Sequence, residues 1–284
     1  QATAMKGDRI KAIEYFDTSI SLHEDANNPL QKANTLTQKG INYFFLNNKD
    51  EALNFLKQSL TVQQALNNKN GIADIYGAFG LVFDDGINTA KSLDYYFQCI
   101  KIKESIESEL DIEGKAHLIW AYANTGYCYM NQKDWKESRE YNFLALEKML
   151  EINDLANASI VNMLIGTCFF EEKEYNAAKK YAVKALNIAK DVNYLFAKGY
   201  SYHLLGQLQI EIYKQYEKNN NNYLDSAKHL FYKTESIAQK ISNKDGIVRG
   251  YIGMAEVEFL RENYTQSLIF YKKADTISSS IKSL

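Results

Sequence analysis

The chain holds a single proline, Pro29, among 284 residues, where average usage of about 5% would supply about fourteen. Proline removes a backbone donor and breaks both helix and ladder hydrogen bonding, so its scarcity points to an almost entirely helical chain. The cysteines, Cys99, Cys128 and Cys168, are odd in number and widely spaced. That excludes a disulfide framework, and no CxxC pair or Cys/His cluster has zinc spacing; all three read as small buried packing residues. No run approaches the roughly 18 apolar residues of a membrane span, and no signal peptide is visible. The formal net charge of −2 gives no basic field to draw nucleic acid. Lys101-Ile102-Lys103 is short, is followed by acids, and reads as a solvated helix face. Also missing are GxSxG, a P-loop, GxGxxG after a strand, and HExxH. The histidines, His23, His117, His203 and His229, are scattered. No catalytic set emerges, and no cofactor is expected.

What the chain has instead is self-similarity. Gly40-Ile-Asn-Tyr-Phe-Phe-Leu-Asn-Asn-Lys-Asp-Glu-Ala52 aligns with the stretches Gly126–Ser138 and Gly166–Ala178. A glycine column runs Gly40, Gly80, Gly126, Gly166, Gly206, with Ala255 sixth. Twelve residues after most of these sits a small residue, the column being Ala12, Ala52, Ser92, Ser138, Ala178, Ala227, Ser267. Seven further on comes another: Ser19, Ser59, Cys99, Ala145, Ala185, Thr234, Ala274. Large apolar residues stand between, such as Phe55, Tyr95 and Tyr181. Each unit therefore reads as two helices: a first ending near "YFFLNN", a short polar turn, and an amphipathic second helix such as Asp50–Leu66. One such pair cannot bury its own apolar face, so neighbours must stack.

These columns resemble the tetratricopeptide repeat over the whole chain. The glycine, the aromatic three residues later (Tyr43, Phe83, Tyr129, Phe169) and both small columns match. So does the turn in Asp134-Trp135, with Glu174-Tyr175, Asn263-Tyr264 and Gly7-Asp8 as variants. The spacing of 40 exceeds the family's usual period, and the closing proline is missing except at Pro29, so longer helices are expected. The resemblance implies an all-α, right-handed superhelical solenoid of antiparallel helix pairs, about six full repeats plus an N-terminal half repeat. The expected divisions of one repeat domain, 1–284, are a half repeat at 1–28 and repeats near 29–68, 69–112, 113–154, 155–194, 195–243 and 244–284. Two insertions are expected, at Glu107–Gly114 and between Gly206 and Ala227, the latter a loop after an extended first helix. Both ends cut the pattern, which reads as a region of a longer protein.

In this family the first helix of each pair lines the concave face. Carried over column by column, that implies a peptide-binding groove including Asn34, Phe44, Asp84, Asp85, Trp120, Asn124, Tyr127, Met130, Phe170, Tyr200, His203 and Arg249. Aromatic stacks with a few polar anchors suit an extended or helical peptide. The family's carboxylate clamp is not implied: Thr37, Gly77, Ala123 and Met163 occupy its lysine column, and Ile41, Leu81, Tyr127 and Thr167 its asparagine column. "FDDGIN" (83–88) lacks the spacing of a calcium loop, since the twelfth position from Asp84 is Tyr95. It reads as an inter-helix turn with Asp84 and Asp85 at the groove's rim. The expected function is a non-catalytic protein- or peptide-binding module, the sensory or scaffolding region of a bacterial regulator whose output part lies elsewhere in the protein. The alternative is an intracellular peptide-pheromone receptor of Gram-positive quorum-sensing type, and a metal-dependent enzyme is the least favoured reading. A protein or peptide segment is the expected partner, with no nucleic acid and no membrane span in this region. Unpaired cysteines lean toward a reducing, cytoplasmic compartment, with a periplasmic sensor region still open.

Overall fold

The computed structural model describes residues 2–84, 88–216 and 220–282. Among them are thirteen α-helices, one 3-10 turn and no strand. The chain divides into two compact units, 1–134 and 135–284. The first holds α1 (Ala2–Asp25), α2 (Pro29–Phe45), α3 (Lys49–Ala65), α4 (Lys69–Phe83), α5 (Thr89–Ser105), a 3-10 turn at Glu107–Glu109 and α6 (Ile112–Asn131). The second holds α7 (Trp135–Glu151), α8 (Leu155–Glu171), α9 (Tyr175–Asp191), α10 (Leu195–Tyr216), α11 (Asn222–Lys240), α12 (Lys244–Leu260) and α13 (Tyr264–Lys282).

One turn explains the missing glycines and prolines at the helix ends. Among the described residues nine non-glycine positions have positive φ, and all nine sit just past a helix: Asn27, Asn47, Asn67, Lys133, Asn153, Lys173, Asn193, Ser242 and Glu262. Most recur every twenty residues. At each, the next residue's N–H reaches back five positions. Asn48 donates to the Tyr43 carbonyl at 2.9 Å and Asn47 to that of Phe44 at 2.9 Å. This is a Schellman closure, with asparagine, the residue most tolerant of the left-handed region after glycine, in the strained position. The following residue then caps the next helix: Asn48 Oδ1 accepts from the Glu51 N–H, and Asn28, Asn68, Asp154 and Asn243 do the same in their turns. Pro29 sits at the first helical position after its cap, where its missing N–H costs nothing. Gly7-Asp8, expected as a turn, lies inside the continuous α1. The stretch lacks a left-handed residue of the kind that closes nine of the inter-helix turns, and flanking Ala, Met and Lys are good helix formers.

Within each pair the small columns set the spacing. A Cβ added at Gly80 would lie 2.5 Å from the Tyr96 ring, and one at Gly206 2.7 Å from that of Phe231. Such close approach is open only to glycine. The Ser92 hydroxyl donates to the Gly80 carbonyl at 2.8 Å, and twelve residues again separate Ser267 from its acceptor, the Ala255 carbonyl, at 2.8 Å. The aromatic columns meet as stacked rings: Tyr43 on Phe55 at 5.3 Å, Phe83 on Tyr95 at 5.6 Å and Phe169 on Tyr181 at 5.5 Å. In both units the first helices of successive pairs also touch one another, α2 on α4, α4 on α6, α8 on α10 and α10 on α12. No comparable contact joins the second helices. Within each unit the first helices thus form an inner row and the second helices an outer one. The 3-10 turn precedes α6, and α10 extends to 22 residues; residues 217–219 of the loop expected after it lie outside the described residues.

Candidate functional site

The inner row of the first unit is held by a buried charge cluster. Lys103 on α5 has no solvent exposure, contrary to a solvated face. Its position, eleven after Ser92, is the one occupied by buried Gln63, Ala189 and Ala238 in other second helices; the packing face, not the local run of charge, decides its burial. Its Nζ donates to Asp74 Oδ1 and Asn70 Oδ1, both at 2.6 Å, so the buried ammonium is paired and hydrogen-bonded. The same Asp74 oxygen meets His117 Nδ1 from α6 at 2.8 Å. That hydrogen bond raises the imidazole pKa above its usual value, with burial opposing.

Beyond this cluster the expected groove residues divide. Trp120 and Tyr127 on α6 are 37% and 44% exposed. Trp120 rests edge-on against Tyr96 at 5.7 Å, and a Cβ at Gly77 would lie 3.3 Å from its ring. Asn124 Nδ2 donates to the Trp120 carbonyl at 2.8 Å, and Met130 is half-buried. Asn34 is exposed and accepts from Gln63 Nε2 at 2.9 Å. Phe44 instead packs against the core of α3 and α4. Asp84 caps α4; Asp85, with Gly86 and Ile87, lies outside the described residues.

The second unit brings three expected residues together. Tyr200 of α10 donates its hydroxyl to Asp245 Oδ2 at 2.7 Å, and Arg249 of α12 donates its Nε to the same oxygen at 2.6 Å. The Arg249 guanidinium lies 5.6 Å from the Tyr200 ring. Burial opposes ionisation of Asp245, but these hydrogen bonds outweigh it and hold the carboxyl below the usual range. This group borders a cleft where α10, α11 and α12 converge, with Phe196, Ile237 and Ile241 as its apolar walls and Asn243 and Arg249 as polar ones. His203 stands one turn along α10, its ring 5.5 Å from Phe231. Its buried Nδ1 has no hydrogen-bond partner, and burial, reinforced by Arg249, presses its pKa down to about 4. Further along the row, Lys214 joins Glu211 at 3.0 Å to Glu256 at 2.8 Å. Phe170 packs against Tyr175 at 5.7 Å.

Asp245, Asn243 and Phe196 escaped sequence reasoning because they precede the concave columns. The repeated turn places them there, and its signal, a capping Asn twenty residues on from the last, was readable. Burial pushes the thiols of Cys99 and Cys128 up to about 12 and about 11 and raises that of Cys168, which disfavours thiolate chemistry. Among the described residues no three His, Cys, Asp or Glu side chains group as metal ligands, and no helix is long and apolar enough to cross a membrane.

Two stretches, residues 2–65 and 161–192, match tetratricopeptide repeat families. Among curated protein sequences none is significantly similar to the chain. Solved structures share the fold at low identity. One is the apo form of RapI (TM-score 0.66, 15% identity, 97% of this chain and 93% of that one). Another is a signal transduction ATPase with numerous domains carrying a tetratricopeptide repeat sensor, from Pyrococcus horikoshii (TM-score 0.70, 17% identity, 95% of this chain but 41% of that one). A third is a Rap protein complexed with competence and sporulation factor (TM-score 0.61, 16% identity, 98% of this chain and 72% of that one). Both units of this chain thus carry tetratricopeptide repeats, packed as the all-α helix pairs of that family.

Proposed function

We propose that this chain is a non-catalytic protein- or peptide-binding module, the sensory or scaffolding part of a bacterial signalling protein. The observation that carries this reading is the cleft of α10, α11 and α12. Apolar walls from Phe196, Ile237 and Ile241 stand beside a guanidinium whose side chain is 47% exposed. An apolar side chain fits such walls, and a backbone carbonyl or carboxylate of the same segment fits the guanidinium. In the first unit, Trp120 and Tyr127 present exposed aromatic surface on an inner helix, the residue types that anchor interfaces. Selection from a peptide library, followed by affinity measurement on Phe196→Ala and Arg249→Gln, tests the reading. A loss of about tenfold in each variant supports it; undiminished affinity in both sinks the assignment.

A second reading, a receptor for a signalling peptide, is favoured by the overlap of nearly the whole chain with the Rap protein complexed with competence and sporulation factor. It requires that short linear peptides bind as tightly as any folded partner. An affinity that appears only with a folded protein would exclude it.

A further inference from the structure

The outer row of the second unit has a character that the repeat pattern does not require. Helices α9, α11 and α13 together hold ten lysines and no arginine, against four carboxylates. That excess of six positive charges belongs to a chain whose net charge is −2. Of the four carboxylates, Glu235 is buried and Asp225 is paired with Arg261, so still fewer face the lysines.

Three lysines occupy one column, six residues after Ala178, Ala227 and Ser267: Lys184, Lys233 and Lys273. The same column holds Thr18, Gln58 and Gln98 in the first unit and Leu144 on α7, so the cation is particular to these three helices. Each ammonium lies over an aromatic ring: Lys184 is 5.2 Å from Tyr181, Lys233 5.2 Å from Tyr202, and Lys273 5.5 Å from Tyr251. Among the described residues none of the three has a carboxylate partner. A ring restrains the position of a cation but does not neutralise it. The outcome is a ladder of positioned, uncompensated charges, one rung per repeat.

We propose that this outer face of α9, α11 and α13 binds an acidic polypeptide segment. Charge complementarity selects an anionic partner. The use of lysine alone selects among anions: recognition of phosphate esters favours the planar, bidentate guanidinium, whereas spaced carboxylates on a peptide are met as well by single point charges. None of the three lysines lines the cleft at Arg249, so the proposal does not depend on it.

The test is fluorescence anisotropy with a labelled oligo-glutamate peptide and the whole chain at low salt. Wild type is expected to bind, and to weaken steeply as salt rises. The triple variant Lys184→Gln/Lys233→Gln/Lys273→Gln is expected to bind about tenfold more weakly, since three modest charge interactions sum to about that factor. The corresponding Lys→Arg triple keeps the charge and should bind as wild type does; this separates lost binding from lost folding, alongside unchanged helical circular dichroism. The idea is overturned if the glutamine triple binds like wild type. It is equally overturned if Lys57→Gln/Lys101→Gln/Lys115→Gln in the first unit weakens binding as much, which would make net charge the cause. Tighter binding of a single-stranded oligonucleotide or of phosphatidylserine vesicles than of the acidic peptide would refute the partner class.

Discussion

In the first unit the buried charges are Lys39 and Lys103, 5% and 0% exposed; in the second they are Glu235 and Glu258, 6% and 3% exposed. One unit therefore encloses cations and the other encloses carboxylates, while most of the second unit's lysines stand on its second helices. The repeat dictates which positions are buried but not what sign of charge fills them. A fully enclosed ammonium must draw its counter-charge from a neighbouring helix, as Lys103 does from Asp74 of α4. Glu258 is reached from outside by the ammonium of Lys228, whose side chain is 40% exposed, at 2.7 Å, and by Asn263 Nδ2 at 3.0 Å. Burial opposes its ionisation, yet the Lys228 hydrogen bond prevails and lowers its pKa. The first arrangement has one main support, and the second has several that water can partly replace.

The largest test of that contrast is Asp74→Ala against Lys228→Ala. Stranding Lys103 should cost about 3 kcal/mol or more in urea unfolding. Removing Lys228 leaves Glu258 with its other donors and should cost about 1 kcal/mol. Equal losses would break the comparison.

Acid should separate the units next. His203 has a folded pKa of about 4, below its unfolded value of 6.5. The unfolded chain then binds the extra proton, so stability is lost as pH falls from about 6.5 toward 4, by about 3 kcal/mol. Hydrogen exchange over α10–α12 should accelerate in that window, and His203→Leu should flatten the dependence; an unchanged profile would contradict the assigned burial. His117 runs the other way. Its folded pKa is raised, so its contribution is fully present below about 6.5 and disappears as pH climbs through the folded value. With a side chain 39% exposed, the effect should stay under about 1 kcal/mol after solvent screening. Protection of α4–α6, as exchange corrected for the intrinsic amide rate, should therefore fall on going from pH 6 to alkaline conditions in wild type, but not in His117→Gln.

The smallest effect should be shared rather than divided. Lys133 and Lys173 hold left-handed dihedrals of 61° and 65° in the same closure, one in each unit. Replacing either by glycine should stabilise its unit by about 0.5 kcal/mol, since glycine relieves the strain of that conformation but loses more chain entropy on folding. Thermal midpoints that fall instead would show that the lysine side chains contribute packing the geometry does not reveal.

Much of this architecture was legible because it recurs. Gly80, Ser92 and Tyr95 announce a helix crossing by their spacing alone, since close packing admits only small residues there and rings beside them. The paired asparagines at 27–28, 47–48 and 67–68 carry the turn just as openly. The candidate site was less legible. Column matching found Tyr200, His203 and Arg249, all on first helices. It missed Asp245, which gathers two of them, because a residue beside a turn has no column of its own. Lys103 was misplaced for a related reason: charge periodicity along one helix says nothing of the helix that will cover it.

By itself, the sequence determined the helix pairs, their stacking and the two rows, because small-residue spacing and turn chemistry act over a few residues and repeat. Only the tertiary structure decided which charges were enclosed, which histidine was paired and which left without a partner, and where a guanidinium met apolar walls. Those outcomes depend on side chains about forty positions apart meeting across neighbouring helices, and burial there sets the energy of each charge.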